Sequence, residues 1–200
     1  MRNLPTLLLL MFLFFVSIQA QENLLKNPSA ELGDKSWKTY GDAKIEEFDG
    51  NKRFVIRNGG YFLQDVILPK QSAGKYTLLI GNGTSERIFS DNDITDHPYL
   101  YGYLMDEGKI DTYLQGQNTL WKSNVKNQKQ CLWGIYQIPE KSDRVRLFLN
   151  QAQRRGTERD GSAARFDNVG LYVFEKKSEA DNFVVNFCGR NNQEKIIGIN

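Results

Sequence analysis

The stretch "YLYGYLMDEGKIDTYL", residues 99–114, decides the fold. Two short runs rich in aromatic and aliphatic residues flank Asp106-Glu107-Gly108, the composition of a hairpin joined by a short glycine-containing loop. The same grammar extends outward along the chain. "KRFVIRN" ends at Asn58-Gly59-Gly60, "YFLQDVIL" stops at Pro69, and "KYTLLIG" stops at Asn82-Gly83. "CLWGIYQI" stops at Pro139, and "RVRLFLN" and "RFDNVGLYVF" follow. From Trp37 onward no window carries a sustained helical period of apolar residues. Many short strands without intervening helices imply an all-β, antiparallel sandwich.

The ends carry separate information. "MRNLPTLLLLMFLFFVSIQA" has one early cation, Arg2, an apolar run from Leu7 to Val16, and a small residue at Ala20. That is the pattern of a secretory signal peptide over residues 1–20. The run is too short to span a bilayer, which takes about 20 apolar residues, so no membrane span is expected. The chain is expected to be secreted, extracellular or periplasmic. Loss of Arg2 takes the formal charge from +2 to +1, which offers nothing to draw the chain to nucleic acid. In an oxidising compartment Cys131 and Cys188 read as a disulfide, with free thiols or pairing to another chain as the alternatives. Asn82-Gly83-Thr84 is a glycosylation sequon placed in a turn. Residues 21–176 form the sandwich domain. Residues 177–200 are a polar extension whose "NFVVNFC" reads as an edge strand pinned by Cys188.

Both edges of the strand region resemble a known family. "NLLKNPSAELGDKSW", residues 23–37, and "FDNVGLY", residues 166–172, resemble the opening and closing segments of carbohydrate-binding modules with the galactose-binding-like jelly-roll fold. The glycan-binding domain of F-box proteins opens similarly. The resemblance implies carbohydrate or glycoprotein partners. It also implies a structural Ca²⁺ held by Glu31 and Asp167, with carbonyls near Asn27 and Asp34, since this hard cation takes six to eight oxygens. The family's second closing Asp is Asn168 here. Asp91, Asp93 and Asp96 form a weaker calcium pattern, lacking the glycine and glutamate of a calcium loop.

No catalytic constellation stands out. His97 is the single histidine and lies in a loop-like segment beside Pro98. The acidic pairs at 46–47 and 106–107 are adjacent in the chain, so their side chains diverge. The chain is therefore read as a non-enzyme, a glycan-active hydrolase being the third choice after an adhesion protein. Sugar recognition needs flat rings with polar groups around them. Tyr99, Tyr101 and Tyr103 share one strand face, and Leu100, Gly102 and Leu104 the other. Leucine belongs inside more often than tyrosine, which turns the tyrosines outward. Gly102 keeps the opposite assignment open, because a glycine on an inner face leaves space to fill. Trp121, after the "LQGQNT" turn, is expected at the surface with the tyrosines, and Arg154 is expected to supply hydrogen bonds.

Overall fold

A computed structural model describes residues 21–193, with side chains to residue 189. The leader over residues 1–20 lies outside the described residues. Eight antiparallel strands make the fold: β1 (Lys38–Phe48), β2 (Asn51–Ile67), β3 (Tyr76–Ser85), β4 (Pro98–Asp106), β5 (Lys109–Leu114), β6 (Gln130–Gln137), β7 (Arg144–Gln151) and β8 (Ala164–Phe174). Their order is β5-β4-β7-β2-β8-β3-β6, with β1 on β2. The hairpin at 106–108 is the β4–β5 turn, paired from Gly102↔Leu114 to Asp106↔Lys109.

One long strand serves both layers. Residues 61–67 of β2 pair with β7, and residues 54–56 pair with β8. The change of partner falls at Asn58 and Gly59, both with positive φ, where the local backbone turns. The glycines that read as a break between two strands are thus a bend within one. Gly60 is required there, since a Cβ would lie 2.7 Å from the Asp42 carbonyl carbon in β1.

Alternation along the strands fills the space between the layers. Leu100 and Leu104 of β4, and Val145, Leu147 and Leu149 of β7, point inward and are fully buried. They meet Phe54, Ile56, Phe62, Phe166 and Leu171 in one core. Trp37, closing the opening motif, packs 5.0 Å from Phe54.

The C-terminal extension is a helix rather than an edge strand: α1 (Lys177–Gln193). Ala180, Phe183, Val184, Phe187 and Cys188 fall at i, i+3, i+4, i+7 and i+8, a helical stripe that the strand reading of "NFVVNFC" overlooked. The stripe covers Leu78, Ile80, Ile135, Tyr172 and Phe174 on the outer face of β3, β6 and β8. The Cys131–Cys188 disulfide fastens the helix to β6. Among the described residues no helix is long and apolar enough to cross a membrane.

Candidate functional site

The β4 tyrosines face outward. Tyr99, Tyr101 and Tyr103 are partly exposed, while Leu100, Gly102 and Leu104 are buried. Gly102 leaves no void, because the β7 backbone fills its place: a Cβ would sit 2.6 Å from the Arg146 carbonyl oxygen. Close approach of two strands, rather than a neighbouring side chain, resolves the ambiguity.

Pairing then arranges rings across the sheet. Tyr99 lies opposite Asn150, Tyr101 opposite Phe148, and Tyr103 opposite Arg146 and Tyr113. On the other side of β7, Asn150 faces Tyr61, which faces Tyr40. Tyr101 stacks on Phe148 at 4.9 Å, Tyr99 on Tyr101 at 5.0 Å, and Tyr40 on Tyr61 at 4.6 Å. With strands about 4.8 Å apart, the aromatic belt crosses roughly 19 Å from β1 to β5. Arg146 and Asp65 form a two-pronged ion pair within the same face, at 2.7 and 3.2 Å.

At the Tyr99 end the belt opens into a cleft of about 610 Å³ floored by Tyr99 and Tyr101. Its walls come from the two chain segments that flank Tyr99. Leu120 bridges to one edge of Tyr99, bringing Gln115, Thr119 and Lys122 to that side. Asn150 pairs with the other edge, bringing Gln153 and Arg159. The Tyr99 hydroxyl donates to Gln115 Oε1 at 3.3 Å, and Asn150 Nδ2 donates to the Tyr101 hydroxyl at 3.4 Å. Burial pushes the Tyr101 hydroxyl up to about 12 and raises Tyr99 as well, so both are neutral donors near neutral pH.

Arg159 is aimed by a buried carboxylate. Asp96 is fully buried and accepts from Arg159 Nη1 at 2.7 Å, Arg87 Nη1 at 3.3 Å and the Asp160 amide at 3.1 Å. Arg87 also pairs with Asp93. Asp93 and Asp96 of the acidic run are therefore counter-ions for arginines while Asp91 is exposed, and the run forms no metal-holding group among the described residues.

Other predicted positions fall elsewhere. Trp121 is fully buried: its Nε1 donates to the Gln128 carbonyl at 2.8 Å and its ring lies 5.2 Å from His97. It cannot stack on a ligand, because its ring is packed in the core. His97 is likewise buried rather than solvated, with Nδ1 3.1 Å from Ser85 Oγ, and burial holds it below the ordinary histidine value. Arg154 reaches the carbonyls of Asp91 and Asn92 at 3.4 and 2.6 Å and clamps that loop. Asn82 is only 2% exposed within β3, which runs on to Ser85, so the sequon is closed to modification in the folded chain.

Glu31 and Asp167 do line one cleft, of about 290 Å³, with Ser29, Asn51 and Asn168. Arg53 and Lys129 line it too, and Arg53 is ion-paired with the Asp167 carboxylate. Two cations beside two carboxylates leave no net charge to attract a dication. Among the described residues no group of three or more His, Cys, Asp or Glu side chains could hold a metal ion. The calcium expectation does not fit this donor set; the cation paired with Asp167 is Arg53.

No protein-family model matches the chain, and no curated protein does. Solved structures do. One is a CBM61 module in complex with β-1,4-galactotriose (TM-score 0.51, 17% identity, 78% of this chain and 99% of that one). Another is a xylan-binding domain from CBM 22 (TM-score 0.52, 13% identity, 78% and 99%). The chain has the β-sandwich fold of carbohydrate-binding modules. It also resembles the enzymatically active domain of tailspike protein 4 from bacteriophage CBA120 (TM-score 0.51, 13% identity, 76% of this chain), of which it spans about a fifth, 21%. At such identities the likeness is one of fold, which does not fix chemistry.

Proposed function

We propose that this protein is an exported, non-catalytic glycan-binding protein that takes saccharide on the Tyr99–Tyr101 floor of the larger cleft. One observation carries the reading: two outward, partly exposed rings form the base of a concavity edged by amide, hydroxyl and cationic donors. Ring faces suit the apolar face of a pyranose, and the surrounding groups suit its hydroxyls. The fold neighbours include modules that bind xylan or galactotriose, which supports a saccharide as the ligand class. The cleft lining holds no carboxylate among the described residues, whereas glycoside hydrolysis uses a pair. The disulfide supports an oxidising location.

Affinity electrophoresis and calorimetry against a panel of plant, algal and animal polysaccharides test the reading. Binding that is lost in Tyr99→Ala, with the fold retained, supports it; absence of binding to every polysaccharide overturns it. A second reading, docking of another protein through the same face, is favoured by Tyr40 and Tyr113, 44% and 56% exposed beyond the cleft. It predicts that Tyr40→Ala and Tyr113→Ala abolish a protein contact while Tyr99→Ala leaves it intact.

A further inference from the structure

The hydrogen-bonding balance of the cleft is one-sided. Each of its side-chain amide oxygens already accepts at least one hydrogen bond: Gln115 Oε1 from Tyr99, Gln117 Oε1 from the Ile135 amide, Asn150 Oδ1 from the Gln151 amide, Gln151 Oε1 from the Gly59 amide and Gln153 Oε1 from Arg159. No carboxylate lines it among the described residues. The charged groups that line it are both positive. Lys122 is exposed on one wall, and its ammonium has no ion pair among the described residues. On the opposite wall Arg159 uses Nη1 on Asp96 and Gln151, and one Nη2 bond on Gln153, which leaves Nε–H and a second Nη2–H. Asp96 is buried behind that arginine, so its charge fixes the guanidinium in place without offering the ligand an oxygen.

Resting on the glycan-binding reading above, we infer that the ligand is an acidic saccharide, one whose carboxylate or sulfate is recognised by Lys122 and Arg159 while its ring stacks on Tyr99. Neutral sugars present hydroxyl donors as well as acceptors, and this cleft is short of acceptors to meet them. An anionic substituent supplies acceptors alone, and charge-assisted bonds to it are the stronger kind.

The test compares polygalacturonate, its carboxyl-reduced counterpart and a sulfated galactan by calorimetry, with wild type, Lys122→Met and Lys70→Met. Lys70 is exposed in the β2–β3 loop and does not line the cleft. The expected result is tighter binding of a charged polymer than of the reduced one, weakened about two- to fivefold by Lys122→Met and unchanged by Lys70→Met. Preference for polygalacturonate identifies a carboxylate, and preference for the sulfated galactan a sulfate ester. Equal affinity for the reduced polymer overturns the acidic-ligand inference and leaves glycan binding standing. Equal loss in both lysine variants also overturns it, as general charge attraction. If Tyr99→Ala matters to no polymer and none binds, the glycan reading itself has failed.

Discussion

Replacing Gly102 by alanine tests the geometry that turns the tyrosines outward. The added Cβ would stand 2.6 Å from the Arg146 carbonyl oxygen and 3.5 Å from the Leu147 Cα. Carbon contacts settle at about 3.5 Å, so β4 and β7 would have to part by up to ~0.9 Å at that point. A ladder bond near 2.9 Å stretched by that much no longer counts as one. The obstacle is backbone on both sides, which cannot rotate away as a side chain could. Overpacking of this kind costs about 1–3 kcal/mol. Alanine's stiffer unfolded chain returns about 0.4–1 kcal/mol, leaving a net loss of roughly 1–2 kcal/mol. For a chain of this size that lowers Tm by about 2–8 °C. Thermal unfolding of the oxidised protein followed by circular dichroism reads it. Gly189 supplies the opposite sign: it lies within α1 with nothing within 4 Å of the place a Cβ would take, so Gly189→Ala gains about 0.5–1 kcal/mol. A Gly102→Ala protein as stable as wild type, with Gly189→Ala raised, would refute the claim that strand contact fills the Gly102 position.

Three further outcomes follow from the same structure. The Cys131–Cys188 bridge closes a separation of 57 residues, worth about 4 kcal/mol in the chain-entropy account, so urea midpoints should fall sharply with reductant or in Cys188→Ser. A Cys188→Ser midpoint equal to wild type would show that the helix is held by packing alone. Burial keeps His97 below its ordinary value, with Asp93, Asp96, Arg87, Phe89 and Trp121 around it. The unfolded chain therefore takes up the proton first: stability is complete above about pH 6.5 and declines as pH falls below it. That decline should be missing in the difference between wild type and His97→Phe if His97 is not its source. Chelation should leave the melting curve unmoved, whereas Asp167→Asn, removing the carboxylate that Arg53 pairs with, should lower stability by about 1–3 kcal/mol. A fall in Tm with chelator would reverse the reading of Arg53 as the cation that answers Asp167.

Strand alternation was legible because it is local. The two-residue period of "YLYGYLM" separates tyrosines from leucines with no knowledge of the neighbours, and the hairpin at 106–108 follows from three residues. Leucine's interior preference turned the tyrosines outward, as found, but the doubt raised by Gly102 was not local, since it is removed by how closely β7 approaches from 44 residues away. Asn82-Gly83 looked like a turn for the same reason. A glycine is used there because Leu132 and Pro98 press against it, at 2.9 and 3.1 Å from a Cβ, while β3 continues past it. The C-terminal helix was the exception: its stripe at 180, 183, 184, 187 and 188 was present in the sequence. Its β-branched and aromatic residues suggested a strand, but the spacing carried the stronger signal.

The cleft itself combines both kinds of information. Its floor is written in the β4 alternation, but its walls come from residues 115–122 and 150–159, brought to opposite edges of Tyr99 by pairing. Neither wall has a motif, because each is specified by what it touches. Arg159 shows how the parts depend on one another. The "SDNDITDH" segment resembles a metal loop when read alone, yet its Asp96 carboxylate is buried between two guanidiniums and an amide. A carboxylate taken out of water needs those partners, and the pairing in turn fixes the arginine. The Asp96 carboxylate is thus engaged inside the protein, and the partner it holds at the cleft is the Arg159 guanidinium. A reading of formal charge along the chain counts Asp96 as an exposed acid, whereas its burial makes it the fixed partner of Arg87 and Arg159.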